Sequence, residues 1–155
     1  GGDRVGIYFN EKGASQRPSI CTYDRAHSAI SEAKKEDFDW ESIFSGAEWF
    51  HFTGITPALS ENVLEICREA CQVAKKKGVK ISCDVNYRSK LWTKEAAREA
   101  MTELSEYIDL ILINEEDSKT VFGIQADKTD VHSGKLNKEG YEEVAKKLME
   151  QFHFS

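Results

Sequence analysis

No apolar run in this sequence approaches the ~20 residues that a membrane-spanning helix needs, so no membrane span is expected. Positive charge is not in excess either: 21 Lys and Arg stand against 27 Asp and Glu, for a net charge of −6. A nucleic-acid partner normally demands a basic face, and none is expected here. Internal repeats and low-complexity tracts are lacking. So are the common chemical signatures: G-x-x-x-x-G-K-[ST], G-x-G-x-x-G after a strand, H-E-x-x-H, paired C-x-x-C and G-x-S-x-G. Their absence argues against a P-loop NTPase, a dinucleotide-binding domain, a zinc site and an acyl-transfer serine. It leaves open an anionic small molecule, which needs only a local cluster of Arg or Lys.

The 155 residues suffice for one domain with a single core. Hydrophobic residues make up 40% and charged residues 31%, as in ordinary soluble domains. Cys67 and Cys71 lie one helical turn apart, a spacing that suits a metal pair, but they share a face with Val63, Leu64, Ala70 and Ala74. Buried, reduced thiols are the simpler reading. With no charged-then-apolar segment opening the sequence, a cytoplasmic protein is expected.

The chain begins as β structure. Val5, Ile7 and Phe9 alternate with more polar neighbours, a polar turn runs from Glu11 to Arg17, and Pro18 opens a second extended run through Ile20, Thr22 and Tyr23. The two runs predict an antiparallel ribbon that must lie on something, because a lone ribbon is marginal in water. Ala26 to Ala33 reads as a short helical piece, and Asp39 as the cap of another reaching Phe44. Glu48-Trp-Phe-His-Phe52 predicts a buried strand, with His51 a satisfied core residue, and ends in the hydroxyl-rich loop Thr53 to Pro57. Ser60 caps an amphipathic helix whose stripe is Val63, Leu64, Cys67, Ala70, Cys71 and Ala74. Lys75 to Lys77 close that helix and Gly78 stops it. Val79 to Cys83 is the next strand. Thr93 caps a helix facing inward with Ala96, Ala97, Ala100, Met101 and Leu104. Asp109 to Ile113 is a third buried strand, and Asn114 opens a short helix that stops at Gly123. A polar surface loop is expected over Ile124 to Asn137. In the last helix, Tyr141, Val144, Ala145, Leu148, Met149 and Phe152 share one face.

Three successive strand ends thus carry polar groups: Thr53, Gly54 and Thr56; then Asp84, Asn86 and Arg88; then Asn114, Glu115 and Asp117. Right-handed crossovers keep such strands parallel and gather their ends on one sheet edge, where open α/β sheets bind ligands. Arg88 suits an anion, because its planar fork pairs two oxygens at once. Cations for phosphate oxygens beside carboxylates for magnesium, directly or through water, are what phosphoryl transfer needs. Taken singly, each of these residues is as easily a turn, a cap or a surface charge; it is their coincidence at three strands that points to a site.

Five segments occur in a telling order: Val5-Gly-Ile-Tyr8, Tyr23-Asp-Arg25-Ala-His-Ser-Ala29, Phe52-Thr-Gly-Ile-Thr-Pro-Ala-Leu59, Asp84-Val-Asn-Tyr-Arg88 with Leu91-Trp92, and Asn114-Glu-Glu-Asp117. The chain resembles the ribokinase-like (PfkB-type) carbohydrate kinases, most of all the 2-keto-3-deoxygluconate kinase subgroup. The resemblance implies an α/β fold, a parallel sheet with flanking helices plus a small β lid, with residues 1–25 as lid strands and 26–155 as a partial kinase body. It implies ATP-dependent phosphorylation of 2-keto-3-deoxygluconate, or a related sugar acid, at the terminal hydroxyl. Tyr8, Tyr23, Arg25 and Arg88 would then bind the sugar acid, Arg25 through its carboxylate. Asn86, Tyr87, Arg88 and Asn114 would lie by the ATP phosphates. Asp117 occupies the last place of the family's N-x-x-E motif, associated with Mg2+; its shorter side chain favours action through water. The lid would support a homodimer. The family's G-A-G-D segment, which carries the catalytic base, does not occur in these 155 residues. A fragment truncated at both ends and inactive alone is therefore expected, with no catalytic residue in this chain. The alternatives are a noncatalytic sugar-acid-binding module and a generic α/β interaction domain.

Overall fold

The structure, a computed structural model, describes residues 2–127 and 138–154. Strands β1 (Ile7–Glu11) and β2 (Ile20–Asp24) form an antiparallel ribbon in which Tyr8 faces Tyr23. All five residues of β1 are exposed. Among the described residues β1 thus packs on no core. The ribbon is tied at its base instead, where Arg4 bonds the carbonyl and the carboxylate of Asp24, each at 3.0 Å, and the Ala29 N–H donates to Arg4 O at 2.7 Å.

The stretch from Ala26 to Ala33 is a series of turns rather than a helix. His27 has a left-handed φ of 54°, and the Ala29 N–H is spent on Arg4 instead of Arg25, so no helical ladder starts. Farther on, α1 (Trp40–Ile43) has the expected cap: Asp39 Oδ1 accepts from Ser42 N–H at 3.1 Å.

Three parallel strands, β3 (Trp49–Thr53), β4 (Lys80–Asp84) and β5 (Leu110–Leu112), lie in the order β3-β4-β5. They are joined by α2 (Glu61–Lys76) and α3 (Lys94–Ser105). Ser60 Oγ accepts from Val63 N–H at 3.3 Å and Thr93 Oγ1 from Ala96 N–H at 3.2 Å, caps worth about 1 kcal/mol each. Gly78 ends α2 at φ 73°, a backbone that glycine adopts without strain.

Side chains alternate across the sheet. Phe52, Ile81 and Cys83, with Phe50 and Ile111 partly buried, point into a core shared with Cys71, Ala74, Met101, Leu104 and Val121. Trp49, His51, Leu110 and Leu112 point the other way and are exposed. The fully buried strands expected at β3 and β5 are thus half-buried. His51 does find a partner, Ser82 Oγ at 2.8 Å, which also accepts Trp49 Nε1–H at 2.7 Å; but the imidazole lies on the exposed face, not in the core.

In α2 the stripe gains Ile66, while Leu64 is only partly buried, and in α3 Ala96 faces water. After β5 come α4 (Glu115–Asp117) and a π-helical turn, Ser118–Phe122, which stops at Gly123. Ala126 is buried, so the expected surface loop starts by packing; its residues 128–137 lie outside the described part. Helix α5 (Lys138–Phe152) gathers Tyr141, Val144, Ala145, Leu148 and Met149 beside β5; Val144 and Leu148 are buried, and Tyr141, Ala145 and Met149 are exposed. Among the described residues no helix is long and apolar enough to cross a membrane.

Candidate functional site

The end of β4 is held in place from both sides. On one side Gly54 N–H donates to Asp84 O at 2.8 Å, and a Cβ on Gly54 would stand 2.1 Å from Val85 O. On the other side Val85 N–H donates to Leu112 O at 3.0 Å. Asn86 then takes a left-handed φ of 39°, a conformation that Asn tolerates better than most residues, and the chain leaves the sheet as Tyr87 and Arg88.

At the end of β5, Asn114 caps α4. Its Oδ1 accepts from Asp117 N–H at 2.7 Å while its Nδ2 donates to Asp117 Oδ2 at 3.0 Å. The same Oδ2 accepts Tyr87 N–H at 3.2 Å. Asp117 is 8% exposed. Burial pushes its carboxyl above the ordinary range, against the bonds from Tyr87 and Asn114; Glu116 adds to the rise and Arg88 opposes it.

The ribbon forms the facing wall. Arg25 Cζ stands 4.0 Å from the centroid of the Tyr23 ring, a cation–π contact that fixes the guanidinium over the ring. The Tyr23 hydroxyl is raised, first by its hydrogen bond and charge interaction with Cys21 and then by burial. Arg25 and Arg88 both pull it down, so charges from the ribbon and from the β4 loop act on one group.

Between these walls lies a cleft of about 1080 Å³. Tyr23, Arg25, Asn86, Tyr87, Arg88, Asn114 and Asp117, all singled out from the sequence, line it together. Tyr8 does not. It is exposed, its ring centroid 6.0 Å from that of Tyr23 on the same face of the ribbon, beside the lining rather than in it. Thr53, Gly54 and Thr56 are also outside the lining; the first strand end shapes the second instead of facing the cleft.

Sequence reasoning passed over Lys90 and Lys94, which bring the cations of the cleft to four, and Thr120. Lys94 was legible in principle, since it directly follows the Thr93 cap and so sits at the mouth of α3. The volume lies at the upper end of the range for small-ligand pockets, about 300–1,000 Å³.

For a divalent cation the fit is restricted. Among the described residues no group of three or more His, Cys, Asp or Glu is arranged to hold a metal. Asp117 Oδ2 is already taken by two donors. The residues present fit a hydrated Mg2+ carried on phosphates, which meets protein through one or two carboxylates and water, and not a protein-built cage.

Known proteins resemble this chain in sequence and fold. The sequence pattern of the pfkB family carbohydrate kinases matches residues 1–151. A 2-dehydro-3-deoxygalactonokinase of Haloferax volcanii is 37% identical over 124 residues, covering 80% of this chain and 39% of the relative. A 2-dehydro-3-deoxygluconokinase of Thermoproteus tenax is 32% identical over 127 residues, covering 80% of this chain and 38% of the relative. The crystal structure of a 2-dehydro-3-deoxygluconokinase from Thermotoga maritima superposes with a TM-score of 0.90 at 52% identity, covering 99% of this chain and 45% of that one. The chain thus spans about two fifths of the length of its curated relatives, and its ribbon and α/β body are those of a ribokinase-like fold. With the family pattern running from the ribbon through α5, the chain belongs to the pfkB family of carbohydrate kinases.

Proposed function

We propose that this chain supplies the acceptor and phosphate walls of an ATP-dependent kinase. That kinase transfers the γ-phosphate to the terminal hydroxyl of 2-keto-3-deoxygluconate (2-dehydro-3-deoxygluconate) or a related sugar acid. The observation that supports this reading is that Arg25, Arg88, Asn114 and Asp117 line one cleft. A sugar acid bears one carboxylate, and Arg25, pre-oriented on Tyr23, suits it. Arg88, Asn86, Tyr87 and Asn114 then serve the phosphates, since phosphoryl transfer is catalysed mainly by positioning and electrostatics. Asp117 would hold a nucleotide-borne magnesium ion through water, and that ion would supply charge neutralisation at the phosphates. Residues 1–25 act as a lid over the body, and the exposed Ile7, Phe9 and Ile20 suit contact with the lid of a second copy. Four unpaired cysteines suit a reducing cytoplasm.

Calorimetric titration with 2-keto-3-deoxygluconate tests the reading. Arg25→Ala removes a charge-assisted pair worth about 1.5–3 kcal/mol, so affinity should fall roughly ten- to hundredfold. Unchanged affinity would take Arg25 out of the site. Competition by Mg-ATP for the Arg88 side separates a kinase from a module that binds the acid alone.

A further inference from the structure

Asp117 makes bonds that a metal ligand has no need of. Its Oδ2 receives the backbone N–H of Tyr87, a residue of another strand end, at 3.2 Å, and the side-chain amide of Asn114 at 3.0 Å. Its own N–H is returned to Asn114 Oδ1 at 2.7 Å, so the two side chains lock each other. The segment it grips leaves a buried Val85 through a left-handed Asn86 at φ 39°, and no regular ladder fixes the direction of the chain there. The Tyr87 hydroxyl donates to Trp92 O at 3.4 Å, and Arg88 O accepts Leu91 N–H at 2.9 Å, so the loop's internal bonds hold its far side only.

We infer that Asp117 is a positioning residue: its carboxylate clamps the Asn86–Tyr87–Arg88 segment to the β5 end and thereby sets the anion affinity of the cleft without any divalent cation. The inference rests on the reading of the cleft as a phosphate site and assigns Asp117 a task there that does not pass through magnesium. A buried carboxylate with two donors on one oxygen is a rigid anchor, and removing it leaves the Tyr87 N–H without its acceptor. Arg88 then samples directions away from the cleft, and the pre-oriented fork is lost.

The test uses pyrophosphate as the anion, in EDTA, titrated into the 155-residue chain by calorimetry, with ¹⁵N–¹H spectra recorded alongside. Asp117→Ala, which takes away the acceptor of the Tyr87 N–H, should weaken metal-free pyrophosphate binding about tenfold, although it also removes a negative charge, and move the Tyr87 and Arg88 amide resonances while those of β3 and β4 stay in place. Asn114→Ala, which removes the brace but keeps the acid, should give a smaller shift of the same resonances and guards against a variant that does not fold. Unmoved Tyr87 and Arg88 resonances would overturn the proposal. So would unchanged metal-free affinity combined with weakened binding in Mg2+, because that is the behaviour of a metal ligand. If the unaltered chain takes up no pyrophosphate, the phosphate reading of the cleft fails. The amide resonances still decide whether Asp117 is a clamp.

Discussion

Burial divides the four cysteines into two chemical populations. Cys67 and Cys71 sit inside α2, and burial pushes their thiols up to about 12; Cys83, on β4, is held well above its ordinary value by the same cause. Thiolate, not thiol, is the nucleophile, so these three are inert near neutral pH. Cys21 is exposed on β2 and lines the cleft. A thiol-disulfide reagent at pH 8 should therefore titrate one cysteine quickly and the other three only after unfolding. Cys21→Ser should abolish the fast phase, and bound anion should slow it. Asp109 shows the opposite balance. Burial alone would raise its carboxyl, but the bonds from Lys80 Nζ at 2.9 Å and Ile81 N–H at 2.9 Å, with Lys75 nearby, outweigh burial and hold it below its ordinary value. A carboxylate depressed in the folded state stabilises fully above its ordinary value and loses that contribution as pH falls through the lower native one. Melting curves should thus show a loss of stability below about pH 4 that is smaller in Asp109→Asn.

Elements joined by short-range signals were legible in the sequence. Asp39, Ser60 and Thr93 announce their helices because a cap bonds a backbone N–H three residues away, and Gly78 and Gly123 end theirs for equally local reasons. The piece from Ala26 to Ala33 was not legible, since the Arg4 carbonyl that captures its Ala29 N–H lies 25 positions upstream. The site divides the same way. Arg88 and Asn114 stood out as polar groups at strand ends and Arg25 through the family resemblance, whereas the Tyr87–Asp117 bond spans 30 positions and Tyr8 takes its place from ribbon register. Gly54 belongs with these long-range features. Its lack of a Cβ lets the β3 end lie against Val85, from which Asn86 departs. Gly54→Ala must push two backbones apart, an overpacking that costs about 1–3 kcal/mol. Chemical denaturation should show that loss, and anion affinity should fall with it because Arg88 hangs from the displaced strand end.

At the scale of the whole molecule, one face of the parallel sheet is bare among the described residues. Parallel sheets are nearly always covered on both faces, because their strands are apolar on both. Here α2 and α3 serve the face of Ile81 and Cys83, while the opposite face presents Trp49 at 53%, Leu110 at 38% and Leu112 at 48% exposure. Tyr141 and Met149 of α5 extend the apolar surface past β5, at 41% and 48%. The net charge of −6 favours dispersal, yet long-range repulsion is screened within about 8 Å at physiological salt. Exposed apolar side chains on both outer strands, Trp49 of β3 and Leu110 and Leu112 of β5 either side of the polar Lys80, Ser82 and Asp84 of β4, drive association. The 155-residue chain on its own should therefore sediment as a concentration-dependent mixture of monomer and larger species. Leu110→Lys with Leu112→Lys should return it to monomer at little change in melting temperature, since both side chains already meet water. If the lid contact alone drove association, the Lys pair would leave the mixture unchanged and Phe9→Lys would dissolve it. Sedimentation of the two variants side by side separates sheet face from ribbon.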